Sequence, residues 1–107
     1  MKQVIGIAAS ILLAQLVQAA PEPDAARQAE LRHLVVQDCG ACHGAGLKGG
    51  LGPSLLPGRL APFPDDFLAE TILEGRSGTA MPPWKRFLAP GEARWIVRRL
   101  KEGGFTP

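Results

Sequence analysis

Apolar residues recur at helical spacing soon after residue 20 of the chain. Asp24 is a good N-cap and begins a predicted helix that runs to about Asp38. Leu31, Leu34 and Val35 fall at positions i, i+3 and i+4 and therefore mark its buried face. The spacing predicts an amphipathic helix.

The same periodicity predicts two further helices. Pro64 and Asp65 start the second, which ends near Glu74. One side of this helix is formed by Phe67, Leu68, Thr71 and Ile72. The final helix has Pro90 at an early position and the glycines at 103 and 104 as its stop. Its inner face, spaced i, i+3, i+4 and i+7, consists of Ala93, Ile96, Val97 and Leu100.

Trp95 falls off this inner face, on the side that carries the arginines of the final helix. We therefore expect Trp95 to be partly exposed. Arg99 lies one turn beyond it, so the guanidinium could stack on the indole ring.

A glycine-rich stretch separates the first two helices, with glycines at 44, 46, 49, 50, 52 and 58, and it predicts a loop. Leu51, Leu55 and Leu56 are spaced through it as apolar contacts for the edge of a cofactor. The alternative is a flexible linker, but a linker would not carry so many leucines.

Residues 1–19 have the features of a secretory signal peptide. Lys2 supplies the positive n-region, and residues 4–14 form an apolar run. Val17, Gln18 and Ala19 then form a small-residue cleavage site. The alternative is a retained membrane anchor, yet the apolar run is shorter than the roughly 20 residues that span a bilayer. Export with cleavage predicts one mature domain, residues 20–107, in the periplasm and without a stable anchor.

A domain of about 88 residues can bury only a limited apolar surface. Such a domain usually needs additional stabilisation from disulfides, a metal or a large apolar cofactor. A bridge between Cys39 and Cys42, the only cysteines, would close a very short loop and constrain little of the unfolded chain. The net charge says little about binding partners, because the chain without Lys2 has eleven basic and ten acidic side chains and is nearly neutral. The chain has no block of basic residues of the kind that a nucleic-acid-binding protein would show, so nucleic-acid binding is not expected.

The segment Cys39-Gly40-Ala41-Cys42-His43 matches the C-x-x-C-H signature for attachment of a c-type haem. Two thiols at this spacing can add to the two vinyl groups of a porphyrin, and the next residue then presents its imidazole to the iron. The alternative is a thiol redox pair, but that motif is expected after a strand in a βαβ pattern, and nothing upstream predicts a strand. The covalent haem would supply the additional stabilisation that so small a domain needs.

Met81 is the candidate for the second axial position, because it is the only methionine left once the leader is removed. It lies between Ala80 and two prolines, so its backbone is extended and its loop is stiff. The alternative is an ordinary core methionine. Trp84 follows this loop directly and is the tryptophan we expect to touch the haem.

Other sixth ligands are few. His33 precedes His43 by ten residues on the same predicted helix, so it cannot easily reach the far face of a haem. Lys48 and Lys85 are conceivable ligands only in an alkaline or partly unfolded form. An open distal site would have no use for the Met81 loop.

These motifs together resemble the single-haem class I cytochromes c over nearly all of the mature chain. The resemblance is carried by "CGACH" after the first helix, a Gly-rich loop with "GP", and "MPPW" before a final amphipathic helix. Within that superfamily, "CHGAGLKGGLGPSL", "ILEGRSGTAMPPW" and "GEARWIVRRLKEGG" resemble the small cytochromes c-55X of denitrifying bacteria. The resemblance implies an all-α, small cytochrome c fold, with three main helices and Gly-rich loops wrapped around one covalent haem.

The resemblance also assigns roles to individual residues. It implies thioether bonds from Cys39 and Cys42, with His43 as the proximal ligand and Met81 as the distal ligand. Pro53 matches the proline whose carbonyl usually receives the imidazole N–H of the proximal histidine.

The chain departs from the superfamily where its terminal helices should cross. Leu31 and Val35 stand where a small residue and an aromatic are usual, and Arg99 replaces another aromatic. We therefore expect these helices not to pack in the usual way.

His/Met ligation leaves the iron coordinatively full, which predicts a one-electron carrier and not an enzyme. We expect a monomer that docks the exposed haem edge against redox proteins, with Lys48, Lys85 and Arg86 around that edge. The alternative is that these charges are ordinary solvated surface. The resemblance implies a role in denitrification, with nitrite reductase as electron acceptor. Two alternatives stay open: an accessory role in building the special haem of nitrite reductase, or a peroxidase-like or gas-binding cytochrome without Met81 on the iron.

Overall fold

A computed structural model describes residues 22–106, so the predicted leader at residues 1–19 lies outside the described residues. Within this part of the chain the structure contains helices and turns and no strand. The helices are α1 (Ala25–Leu34), α2 (Gly40–His43), α3 (Pro57–Leu60), α4 (Asp65–Glu74) and α5 (Pro90–Lys101). The predicted all-α fold class is confirmed. None of the described helices is long and apolar enough to cross a bilayer.

Helix α1 begins where the sequence predicts. The Asp24 carboxylate accepts a hydrogen bond from the Arg27 amide at 2.8 Å, which satisfies one of the amides that the first turn leaves free. His33 is exposed on this helix.

The predicted end of the first helix near Asp38 is wrong. The helical path continues through a π-helical turn, Val35–Cys39, directly into α2. The Gly40 amide donates to the Val35 carbonyl, five residues back, so the turn holds one residue more than an α-helical turn. One extra residue moves everything after it by about 100° around the helix axis. The turn therefore changes the direction in which the cysteine motif faces, and Cys39 packs against the same core cluster as Leu31 and Val35.

The predicted inner face of α5 is confirmed, because all four of its residues are buried. The expectation for Trp95 is wrong, since its side chain is only 2% exposed. After α5 the chain turns back, with the Gly104 amide bonded to the Arg99 carbonyl at 2.8 Å, and carries Phe105 onto the indole. The two rings meet edge to face at 5.9 Å and 72°. The predicted stacking partner is present, because the Arg99 guanidinium lies 5.7 Å from the centre of the Trp95 ring.

The contact between the terminal helices is filled by large side chains. Leu31 of α1 and Val35 at the start of the π-helical turn are fully buried in one cluster with Trp95, Leu100 and Phe105. The aromatic groups that α1 lacks are thus supplied by α5 and the segment after it. Arg32 covers this cluster, with its guanidinium 5.3 Å from the Phe105 ring centre and bonded to the Gly104 carbonyl at 2.6 Å.

Helix α4 has the predicted bounds, and it packs along α5 through small residues. Ala69 lies in a cluster with Ala93 and Val97 of α5. At the far end of α5, the Lys101 ammonium lies 2.6 Å from the Asp65 carboxylate at the start of α4. Because the end of α5 meets the start of α4, the start of α5 lies near the end of α4, where the Met81 segment begins.

The predicted loop between residues 43 and 59 is partly helical. It contains a 3₁₀ turn at Ala45–Leu47 and begins α3 at Pro57. Leu47 is 2% exposed and adopts φ +60°, a left-handed conformation that L-residues seldom take. Burial of its side chain offsets the cost of that conformation and fixes the loop to the core.

Candidate haem-attachment site

The two cysteines occupy different environments on one helical path. Cys39 ends the π-helical turn, is half-buried and packs against the main core cluster, whereas Cys42 on α2 is exposed. The two thiols are not joined in a disulfide. Burial, assisted by the neighbouring Asp38 carboxylate, raises the pKa of the Cys39 thiol to about 11. The free Cys39 thiol therefore stays protonated at neutral pH.

The ring of His43 is oriented by a backbone carbonyl. Its Nδ1 atom lies 2.7 Å from the carbonyl oxygen of Pro53. A carbonyl can only accept, so Nδ1 carries the proton and the Nε2 lone pair of the neutral ring is free to bind a metal. The Pro53 contact expected from the resemblance is present in this structure.

Gly52 closes the cradle around this imidazole. A Cβ atom at Gly52 would lie 2.9 Å from both Cε1 and Nδ1 of His43, closer than real Cβ contacts allow. The loop is held there by hydrogen bonds from the Gly52 amide to the Cys42 carbonyl at 2.8 Å and from the Gly49 amide to the His43 carbonyl at 2.7 Å. The backbone thus approaches the ring so closely that any side chain at position 52 would force the ring or the loop to shift.

The Met81 segment is anchored to the end of α4. The amides of Trp84 and Lys85 donate to the carbonyls of Ile72 and Leu73 at 3.0 and 3.2 Å, which satisfies two acceptors that the last helical turn leaves free. Met81 itself is half-buried.

Gly75 lies directly under the backbone of this segment. Its φ is +68°, and a Cβ atom there would meet the Met81 carbonyl oxygen at 2.7 Å, with Pro82 and Pro83 atoms equally close. Glycine is therefore favoured at the end of this helix for two reasons. It adopts the positive φ without strain, and it leaves room for the Met81 and Pro82 backbone.

The two candidate ligand segments reach the same core. Cys39 from the haem-attachment motif and Trp84 from the Met81 segment both pack against the main core cluster. The other partly buried apolar residues on that cluster are Leu34, Leu55, Leu68, Ile72 and Leu73. Leu51, expected at a cofactor edge, is 94% exposed, so it adds nothing to this apolar surface in the structure.

The residues present fit a covalently attached haem. Two thiols lie one helical turn apart, and an imidazole beside them has its Nδ1 committed to a carbonyl. A partly buried apolar surface lies beside them, and the Met81 thioether is one of the side chains that can serve as a second axial ligand of a haem iron. The assignment of Cys39, Cys42, His43 and Met81 to individual bonds stays a prediction.

The predicted charges lie on the surface near these segments. Lys48, Lys85 and Arg86 are all exposed. Lys85 forms a salt bridge with Glu74, since its ammonium lies 3.1 Å from the Glu74 carboxylate.

Sequence reasoning missed the link between α1 and the start of α5. Arg27 donates to the Glu92 carboxylate and, at 3.0 Å, to the Phe87 carbonyl. The Glu92 carboxylate also accepts from the Ala89 amide at 2.9 Å. Glu92, the third residue of a helix that starts with proline, is a recognisable capping signal. No pattern in the sequence identifies Arg27 as its partner.

Comparison with known proteins agrees with this site. Residues 26–98 match the family described as cytochrome c oxidase, cbb3-type, subunit III. The chain is 54% identical to cytochrome c55X of Pseudomonas aeruginosa over 79% of its length and 71% of that protein. A solved structure of the c-type cytochrome NirC is 54% identical, with a TM-score of 0.77, and covers 79% of this chain and 100% of its own. A dihydro-heme d1 dehydrogenase of P. aeruginosa is 43% identical over 92% of this chain, which is 18% of that enzyme. The chain therefore belongs to the c-type cytochromes and, within them, to the cytochrome c55X family.

Proposed function

We propose that the protein is a periplasmic one-electron carrier, a monomer with one haem c bound through Cys39 and Cys42 and ligated by His43 and Met81. The bound group supplies an iron that accepts and releases single electrons. The observation that carries the proposal is the 2.7 Å contact between His43 Nδ1 and the Pro53 carbonyl, because it commits one ring nitrogen and leaves Nε2 as a ligand. Cleavage of the predicted signal peptide at residues 1–19 would release the chain into the periplasm.

A carrier must change little between its two redox states, and the ligand segments of this chain suit that requirement. His43 is held by a carbonyl and a glycine cradle, and the Met81 segment is tied to α4 by backbone hydrogen bonds. Filled axial positions favour electron transfer over substrate binding. These features support a carrier more than a peroxidase-like or gas-binding protein, which would require Met81 to be off the iron.

Met81 ligation is tested by Met81→Ala. The oxidised wild-type protein is expected to show the weak near-infrared band of a sulfur–iron bond, and the reduced protein is expected to resist carbon monoxide. The variant should lose the band and bind carbon monoxide readily. A wild-type spectrum without the band, or an unaltered visible and near-infrared spectrum in the variant, would contradict the proposal.

Haem attachment and export are tested together by mass spectrometry of the protein purified from the periplasm. The expected mass is that of a chain starting near residue 20 plus one covalent haem. Cys39→Ala and Cys42→Ala should each remove one thioether bond. A mature chain of the predicted mass without a haem would refute the attachment.

We propose nitrite reductase as the electron acceptor. The resemblance to the cytochromes c-55X of denitrifying bacteria implies this partner. One cytochrome c55X relative, from Paracoccus denitrificans, is 52% identical over 84% of this chain. The exposed Lys48 and Arg86, together with Lys85, whose charge is partly offset by Glu74, would steer an acidic partner towards the haem edge. Reduced protein mixed with purified nitrite reductase should be oxidised rapidly and more slowly at high salt. Slow exchange despite stable complex formation would contradict the donor role.

A second candidate is an accessory role in building the special haem of nitrite reductase. It is favoured by the dihydro-heme d1 dehydrogenase, which contains a region similar to this chain within a much longer enzyme. A dehydrogenase must pass the electrons of its substrate to an acceptor, and a free domain of the same kind could receive them. Oxidised protein should then be reduced when mixed with that enzyme and its substrate, and stay oxidised when the substrate is omitted.

A further inference from the structure

Thr79 stands two residues before Met81 and closes the turn that carries it. Its hydroxyl donates to the Arg76 carbonyl at 2.7 Å and accepts from the Met81 amide at 3.3 Å. The Thr79 amide also donates to the Arg76 carbonyl, at 3.1 Å. The side chain thus bridges the start of the turn and the residue that we propose as a ligand.

The backbone of Met81 is held on both sides by this arrangement. Its amide donates to the Thr79 hydroxyl, and its carbonyl accepts from the Arg76 amide at 3.2 Å. The Gly75 backbone lies directly beneath that carbonyl. With both peptide groups fixed, the direction of the Met81 Cα–Cβ bond is fixed too. Of these three contacts, the one from Thr79 is the only one that depends on a side chain.

We propose that Thr79 is a positioning residue for the Met81 thioether, acting through the Met81 amide. The inference rests on the proposed function, because it requires Met81 to be an iron ligand. Without the hydroxyl, the Met81 amide would hydrogen-bond to water. The segment would lose its side-chain bond to the Arg76 carbonyl, but it would keep its backbone bonds to Arg76 and its anchors on α4. The thioether would then leave the iron more often, although the protein would stay folded.

The expected size of the effect follows from the strength of such contacts. The Thr79 hydroxyl makes two hydrogen bonds, and the one from the Met81 amide acts directly on the ligand. Loss of one hydrogen bond of this kind shifts an equilibrium about fivefold. An added ligand that competes with Met81 for ferric iron reports this shift directly, since its apparent affinity rises with the population of the detached state. Imidazole is a suitable probe.

The experiment compares wild type with Thr79→Val, which keeps the shape and removes the hydroxyl, and with Thr79→Ser, which restores it. Ser77→Ala is the matched control, because Ser77 lies in the same exposed turn and makes no side-chain hydrogen bond among the residues described. Imidazole should bind the ferric Thr79→Val protein about fivefold more tightly than wild type. The near-infrared band should weaken in that variant. Thr79→Ser and Ser77→Ala should both resemble wild type, and the unfolding midpoint should change little.

The outcomes separate the two proposals. If the wild-type protein lacks the near-infrared band, Met81 is not a ligand, and both the proposed function and this inference fall. If wild type has the band and Thr79→Val binds imidazole as wild type does, only the role of Thr79 is overturned. An equal gain of affinity in Ser77→Ala would also overturn it, because the effect would then belong to the turn in general.

Discussion

The guanidinium of Arg27 donates to both oxygens of the Glu92 carboxylate, at 2.5 and 3.2 Å. The two residues are 65 positions apart and join α1 to the first turn of α5. The same guanidinium holds the Phe87 carbonyl, and the same carboxylate holds the Ala89 amide. The pair therefore fixes the segment that leads from Met81 into the last helix.

Glu92→Gln should lower stability in a pH-dependent way. The bonds from Arg27 hold the pKa of the Glu92 carboxyl below its usual value, although partial burial opposes this. A depressed pKa stabilises the fold above the pKa of the unfolded chain, about 4.3, and this contribution is lost as the pH falls through the folded-state pKa. We expect Glu92→Gln to cost about 1 kcal/mol at pH 7, a modest value because the pair is partly exposed.

Denaturant unfolding of both proteins from pH 7 down to pH 3 measures this. The difference between wild type and Glu92→Gln should shrink as the pH falls. Glu102→Gln is the control, because Glu102 pairs with Arg99 only at the surface and should cost less than about 0.5 kcal/mol. A difference that does not change with pH would contradict the assigned role of the charge.

Leu31→Ala should be among the more costly changes in the protein. Leu31 is fully buried between α1 and α5, and truncation of such a leucine costs about 2–5 kcal/mol. His33→Ala on the same helix is the control, because His33 is exposed and should change stability by less than about 0.5 kcal/mol. It should also leave the visible spectrum unaltered, since His33 is not expected to reach the iron. A cost below about 1 kcal/mol for Leu31→Ala would show that the terminal contact is loosely packed.

The sequence predicted those features that depend on local chemistry. The N-cap at Asp24, the bounds of α4 and the inner face of α5 follow from capping residues and from a 3.6-residue period. The contact of Pro53 with His43 came from the family resemblance, and the structure contains it.

What it could not predict depends on contacts between distant residues. Trp95 is buried because Phe105 folds back over it, and no helical wheel includes a residue beyond the end of the helix. The π-helical turn before Cys39 has no glycine or proline to signal it. The need for a residue without a side chain at position 52 depends on the close approach of the His43 ring, which no local signal in the sequence indicates.

Gly75→Ala should detach Met81, whereas Gly78→Ala should not. Both glycines have positive φ, +68° and +75°, so alanine costs about 1 kcal/mol of backbone strain at either position. A Cβ at Gly75 also clashes with the backbone of Met81 and Pro82, whereas a Cβ at Gly78 has nothing within 4 Å. We therefore expect only Gly75→Ala to weaken the near-infrared band and raise imidazole affinity. Equal effects from the two variants would show that strain, and not the clash, dominates.

Gly52→Ala should disturb the orientation of the His43 ring. The new methyl group would lie 2.9 Å from two ring atoms, so the imidazole or the loop must move and the bond to the Pro53 carbonyl must lengthen. Overpacking of this kind costs about 1–3 kcal/mol. Electron paramagnetic resonance of the ferric protein, which reports ring orientation, should show shifted g-values, and denaturant unfolding should show the lost stability.

Gly58→Ala is the matched control for this change. Gly58 is exposed in α3 and has nothing within 4 Å of an added Cβ, so alanine should leave the g-values unaltered. Because alanine is the better helix former, this variant should be as stable as wild type or gain up to about 1 kcal/mol. Unchanged g-values in Gly52→Ala would mean that the loop yields instead of the ring. The carbonyl of Pro53, and not the closeness of Gly52, would then be what orients His43.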